Sequence, residues 1–128
     1  MSCHAGALFA LALGLAIGGS PRSARAEAPR SADALFDEGS GLLKAGKVEE
    51  ACVKLAESQS VEPAIGTLGL LAYCHEQSGK LATAMREYGE VAELAHLAAQ
   101  GAREKVARER VVALAGRVTR LSIALSER

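Results

Sequence analysis

The stretch Gly46-Lys47-Val48-Glu49-Glu50-Ala51 returns 33 residues later as Gly79-Lys80-Leu81-Ala82-Thr83-Ala84. Around both segments, small and apolar residues recur in the same order. A period of about 34 residues is typical of proteins built from repeated helical hairpins, in which a short turn separates the two helices of each unit. The repeat therefore predicts an all-α fold of stacked hairpins.

The composition favours helices and excludes a strong overall electric field. The chain has 128 residues, of which 49% are hydrophobic and only 3% aromatic, and it has no Trp. Its apolar residues are mostly Ala, Leu and Val, and the first two are strong helix formers. Because 15 basic residues balance 15 acidic ones, no net charge steers the protein towards nucleic acid or anionic lipid. We expect no nucleic-acid partner.

The first 26 residues resemble a secretory signal. An uncharged run rich in Ala, Leu and Gly spans 5–19, and the segment Ala24-Arg25-Ala26 matches a small-x-small cleavage site. We therefore expect an exported protein, periplasmic or secreted, with a linker at 27–31 and no membrane span after cleavage. The alternative is an uncleaved anchor, since His4 is the only side chain that can add positive charge before the run.

Apolar spacing predicts five helices after the linker. They are expected at about 34–44, 48–60, 64–78, 81–99 and 102–118. Gly46 and Gly79 should end the first and third helices, and Gly101 should separate the fourth from the fifth. The predicted buried stripes include Leu94 in the fourth helix and Val106 in the fifth. Apolar and small residues alternate at 121–125, which predicts a short strand-like tail within 119–128.

The two units resemble the tetratricopeptide repeat (TPR) family, whose pattern reads Trp-x2-Leu-Gly-x2-Tyr, then Ala-x3-Phe, then Pro. The matching places in the first unit hold Leu35, Glu38, Gly39, Leu42, Ala51, Leu55 and Pro63. Those in the second hold Leu68, Leu71, Ala72, His75, Ala84 and Tyr88. The chain departs from the pattern in lacking Trp, in Glu38, and in His96 at the second Pro place.

The resemblance implies a right-handed solenoid over 32–118. It would consist of two antiparallel hairpins, at about 32–63 and 65–98, and a C-terminal capping helix at 102–118. The small residues Gly39 and Ala51 are expected where the two helices of the first hairpin touch, because a large side chain there would force them apart.

The chain is also similar to a group of exported repeat proteins typical of myxobacteria. The residues that carry this likeness are Glu50-Ala51-Cys52, Ala56-Glu57-Ser58-Gln59, Ile65-Gly66-Thr67-Leu68, Cys74-His75-Glu76 and Ser78-Gly79-Lys80. In that group the helices lead into a small β domain of the PEGA type. The segment Arg120-Leu121-Ser122-Ile123 resembles the entry to such a domain, which the chain does not continue. The likeness implies an architecture and a compartment, but it does not point to any particular activity.

TPR-like proteins bind a peptide or a partner helix in a concave groove lined mainly by the first helix of each hairpin. The resemblance thus implies a non-enzymatic scaffold or adaptor of the cell envelope, with a protein or peptide partner, no cofactor, no metal and no small-molecule substrate. By helical phase, the groove should carry Asp33, Phe36, Asp37, Ser40, Leu43, Gly66, Gly69, Tyr73 and Glu76. The places of the family's carboxylate clamp hold Phe36, Ser40, Leu70 and Tyr73, so we predict no clamp. The alternative is that Phe36 and Leu43 only pack against the linker or neighbouring helices.

Two cysteines fall on helices that should be neighbours. Since an exported protein meets an oxidising compartment, Cys52 and Cys74 are a candidate disulfide. The alternative is two buried thiols too far apart to bond. A second functional hypothesis is a redox- or metal-handling envelope protein that uses Cys52, Cys74 and His75, although the chain has no Cys-x2-Cys pair. A third is a remnant whose helices once presented a β domain and which has no specific partner.

Overall fold

The computed structural model describes residues 30–126, with side chains to residue 120, and over this range the chain forms helices and no strand. The helices are α1 (Ala32–Lys44), α2 (Val48–Val61), α3 (Ile65–Gln77), α4 (Leu81–Leu97) and α5 (Gly101–Ser126). The predicted all-α class is confirmed for this part of the chain. The signal predicted for residues 1–26 lies outside the described residues, as does most of the linker.

Each helix packs against the next along the chain, and α1 also contacts α3. Three clusters of buried side chains form the core between these helices. The first contains Ala51, Cys52, Leu55, Leu71 and Cys74. The second contains Leu68, Val91, Ala92 and Ala107. The third contains Ala72, Ala84, Tyr88 and Leu114. Because many of these residues are small, the helices approach one another closely.

The turns after α1 and α3 are alike, as the sequence repeat predicts. Gly46 and Gly79 both have φ 78°, a left-handed backbone that glycine adopts without strain. In each turn the amide after the glycine bonds back into the last turn of the helix, from Lys47 to the Leu42 carbonyl and from Lys80 to the His75 carbonyl. This is the Schellman ending.

The turn between α4 and α5 has the same hydrogen bonds but a different residue at the left-handed position. Ala99 has φ 55°, and the amide of Gln100 bonds to the Ala95 carbonyl. The prediction that Gly101 separates the fourth helix from the fifth was therefore wrong, since Gly101 is the first residue of α5. The chain turns two residues earlier, where an alanine takes the role that glycine has in the other two turns.

The predicted strand-like tail is wrong, and so is the predicted end of the fifth helix at 118. Helix α5 continues without a break to Ser126. The segment after Gly116 contains neither Gly nor Pro to stop it. A lone strand would leave its backbone groups without hydrogen-bond partners, whereas the backbone groups of a helix bond to one another.

No helix in the described range is both long enough and apolar enough to cross a membrane.

Helices α1 and α2 approach each other closely at Gly39. A Cβ atom placed on Gly39 would come within 2.8 Å of the Leu55 Cγ and 3.2 Å of the Leu55 backbone nitrogen. Leu55 is fully buried, so it has little freedom to move away. This agrees with the expected role of a small residue where the helices of one hairpin touch.

We predict that Gly39→Ala lowers the free energy of unfolding by about 1–2 kcal/mol, because overpacking outweighs the gain in helix propensity. The matched control is Gly41→Ala in the same helix, where a Cβ meets nothing within 4 Å. That change should raise stability by about 0.5–1 kcal/mol. Urea unfolding of both variants measures the difference, and equal shifts would contradict the close contact at Gly39.

Candidate functional site

A concave cavity of about 1100 Å³ is lined mainly by α1, α3 and α5, with further residues from α2 and α4. We call it the groove. Its apolar lining includes Phe36, Ile65, Leu70, Tyr73, Val91 and Val106. Tyr73 is 40% exposed and Val106 is 57% exposed. The groove thus offers a large apolar surface to a molecule that could enter it.

Glycines of α3 form part of the groove lining. A Cβ atom on Gly66 would come no nearer than 3.9 Å to the Arg103 Nη2, and one on Gly69 no nearer than 4.0 Å to the Val91 Cγ2. Both positions therefore have room for a side chain, and their glycines leave that room to the groove. The backbone of α3 is consequently within reach of an occupant.

The structure brings some of the predicted groove residues together and leaves others outside. Asp33, Phe36, Gly66, Gly69 and Tyr73 line the groove, whereas four others do not. Those outside it are Asp37, Ser40, Leu43 and Glu76. Helical phase selects a whole helix face, but the cavity covers only the N-terminal part of α1.

Phe36 and Leu43 both pack against the first core cluster. For Leu43 this agrees with the alternative that it only packs against neighbouring helices. Phe36 packs there and also lines the groove, so it can contribute both to stability and to binding.

Glu76 was predicted to face the groove, but its side chain is nearly buried and hydrogen-bonded within the fold. Its side chain is only 9% exposed, and its carboxylate accepts hydrogen bonds from Arg110 at 2.7 Å, the Tyr88 hydroxyl at 3.2 Å and Arg117 at 3.3 Å. The Arg110 guanidinium also lies 5.9 Å from the centroid of the Tyr88 ring. Burial raises the pKa of Tyr88, so its hydroxyl stays a donor at neutral pH. Glu76 therefore ties α3 to α4 and α5, and its carboxylate is occupied by partners within the fold.

The charges that line the groove lie on different helices. Asp33 on α1 and Glu62 at the end of α2 form no ion pair with any residue in the range 30–120. Arg103 and Arg110 belong to α5. Arg110 is paired with Glu76, whereas the Arg103 guanidinium donates to the neutral amide of Gln100. The groove thus has unpaired acidic groups from α1 and α2 and an unneutralised base from α5.

Cys52 and Cys74 are joined as a disulfide between α2 and α3. Their Cα atoms lie 5.6 Å apart, within the range that a disulfide requires. The two residues are 4% and 0% exposed, so an external thiol could reach the bond only after the helices separate. This burial gives the redox hypothesis no support.

His75 has a partner within the fold. Its Nδ1 lies 2.8 Å from Oε2 of Glu87, whose side chain is only 6% exposed. Among the residues that the structure describes, no three His, Cys, Asp or Glu side chains converge in a way that could hold a metal ion. The metal hypothesis therefore has no ligand set in this range.

The sequence reasoning missed several residues that line the groove, among them Glu62, Thr67, Arg103 and Val106. Val106 was expected in the core, as was Leu94, yet they are 57% and 37% exposed. The small residue Ala107 is buried instead. The spacing of apolar residues in α5 could not reveal this, because the packing face of that helix depends on the direction in which α4 meets it.

No protein-family model matches the chain, and no curated protein or solved structure matches it significantly.

Proposed function

We propose that the protein is a non-enzymatic scaffold that holds a peptide or a helix of a partner protein in the groove. The observation that carries this proposal is the cavity of about 1100 Å³, whose apolar lining includes the exposed side chains of Tyr73 and Val106 and the half-buried ring of Phe36. Contiguous exposed apolar surface of this kind usually marks a binding site.

We further propose that the helices form a TPR-like right-handed solenoid. The sequence repeat of 33 residues supports this, as do the matching turns at Gly46 and Gly79. The packing of each helix on its chain neighbours is also typical of such arrays. In this architecture α1, α3 and α5 would line the concave face.

We propose that the protein acts outside the cytoplasm, in the periplasm or as a secreted protein. The signal-like residues 1–26 support this location. The disulfide between Cys52 and Cys74 also supports it, because such bonds persist in oxidising compartments. The partner would then be another protein of the cell envelope.

Site-specific photo-crosslinking in the native cell tests the proposed scaffold function. A photoreactive amino acid at Val106, inside the groove, should give one discrete adduct. The matched position is Val112, which is on the same helix, 74% exposed and outside the groove; it should give none. Phe36→Ala and Tyr73→Ala should each reduce the adduct about tenfold, since each removes a large apolar contact.

Circular dichroism of the two alanine variants controls for unfolding, because both are expected to keep their helices. The scaffold proposal would be wrong if the adduct formed equally well from Val112. It would also be wrong if neither alanine variant changed the yield.

A further inference from the structure

One corner of the groove, where the first turn of α3 faces α5, has several hydrogen-bond donors without partners. The backbone N–H groups of Ile65, Gly66 and Thr67 bond to no other backbone group in the described residues, and α3 has no side-chain cap. The first turn of a helix carries partial positive charge and favours an anion. The helix has 13 residues, enough for this effect to develop.

Thr67 provides an independent sign of a ligand at this corner. Its side chain is only 7% exposed and lines the groove, yet its hydroxyl forms no hydrogen bond with any described residue. In the same range, every fully buried side-chain oxygen or nitrogen has a partner. The Thr67 hydroxyl must therefore retain contact with the open space of the groove, where an occupant can bond to it.

Arg103 adds a full positive charge to the corner. One of its terminal nitrogens lies 3.9 Å from the Cβ position of Gly66, so the guanidinium is next to the first turn of α3. Its hydrogen bond to the neutral Gln100 amide leaves the charge uncompensated. Together with the free N–H groups and the Thr67 hydroxyl, it forms a site with the donors that a carboxylate requires.

The acidic groups that line the groove indicate which second charged group the occupant must carry besides its carboxylate. Glu62 comes three residues before the start of α3, and Asp33 lies in the first turn of α1. Neither has a cationic partner among residues 30–120. An occupant with acidic side chains alone would be repelled here, whereas one that also carries a basic side chain would satisfy both signs of charge.

We propose that the occupant is an amphipathic segment of a partner protein, with an acidic side chain, a basic side chain and apolar residues between them. Its Asp or Glu carboxylate binds Thr67, Arg103 and the first turn of α3. Its Lys or Arg faces Asp33 and Glu62, and its apolar side chains contact Phe36, Tyr73 and Val106. This inference rests on the proposed scaffold function and specifies the chemistry of the partner.

A random library of 12-residue peptides, displayed on phage and selected against the intact protein, tests the proposal. Enriched peptides should combine an acidic residue, a basic residue and an apolar cluster. One enriched peptide, synthesised with blocked ends, is then titrated against variants. Arg103→Ala and the isosteric Thr67→Val should each weaken its binding about tenfold, as expected for loss of a hydrogen bond to a charged group. Arg86→Ala removes an exposed arginine outside the groove and should leave binding unchanged.

The role of the acidic groups is tested in the same titration. The double variant Asp33→Asn/Glu62→Gln should lose its preference for a peptide with a basic residue over the same peptide with Gln in that place. Enriched peptides without an acidic residue would overturn the proposal, and so would an acidic preference that is as strong in Arg103→Ala as in the wild-type protein. Apolar peptides that still require Phe36 and Tyr73 would leave the scaffold function standing while refuting the charge pattern. If Phe36→Ala/Tyr73→Ala protein enriches the same peptides, the groove itself is not the binding site and both proposals fail.

Discussion

Breaking the bond between Cys52 and Cys74 is expected to lower the free energy of unfolding by about 3 kcal/mol. The bond closes a loop with a sequence separation of 22 residues, and restricting a loop of that size in the unfolded chain accounts for an effect of this magnitude. Since stabilities of single domains are only about 5–15 kcal/mol, the loss is a large part of the total. Urea unfolding with and without a reducing agent measures it.

The double variant Cys52→Ala/Cys74→Ala separates the bond from the reducing agent. Its unfolding midpoint should be well below that of the oxidised protein and should not respond to reductant. If the oxidised and reduced wild-type proteins unfold at the same urea concentration, the bond does not constrain the unfolded chain. The loop argument would then be wrong.

Leu55→Ala is expected to destabilise the protein by about 3 kcal/mol, the usual result of removing a fully buried leucine from a well-packed core. Leu55 is 0% exposed and belongs to the first core cluster. The same leucine is the side chain that a Cβ atom on Gly39 would strike. The two positions should therefore be coupled.

The coupling is measured with a double-mutant cycle. Gly39→Ala destabilises the wild-type protein, but in the Leu55→Ala background the branched side chain that it would strike is gone. There only the 3.2 Å approach to the backbone nitrogen of residue 55 remains. The change should therefore cost less than in the wild-type protein, so the double variant is more stable than the sum of the single effects predicts. Strict additivity would show that the closeness of Gly39 and Leu55 has no energetic consequence.

The order and approximate bounds of the helices could be predicted from the sequence because the relevant signals are local. The first four helices begin and end within two residues of their predicted positions. Gly46 and Gly79 marked two of the turns, since a left-handed backbone at that position favours glycine. Ala99 gave no such signal, because alanine is common inside helices. The turn between α4 and α5 was therefore predicted two residues too late.

The composition of the groove could be predicted only in part, because it depends on contacts between distant parts of the chain. Helical phase correctly put Phe36 and Tyr73 on the same side as Asp33. It could not show that Glu76 pairs with Arg110, which is 34 residues further along the chain. Nor could it show that Arg103 stands beside Gly66, since that depends on the angle at which α5 leaves the Ala99 turn.

The bond between α2 and α3 also determines how the protein would respond to mechanical force. When the chain is pulled from its two ends, tension passes through the sulfur atoms and bypasses the segment between Cys52 and Cys74. About 75 Å of contour length, from a sequence separation of 22 residues at roughly 3.4 Å each, stays hidden while the bond is intact. When the protein is stretched between two attachment points, its available extension is shorter by that length less the 5.6 Å that the bond itself spans. Only a reductant that reaches the sulfur atoms restores it.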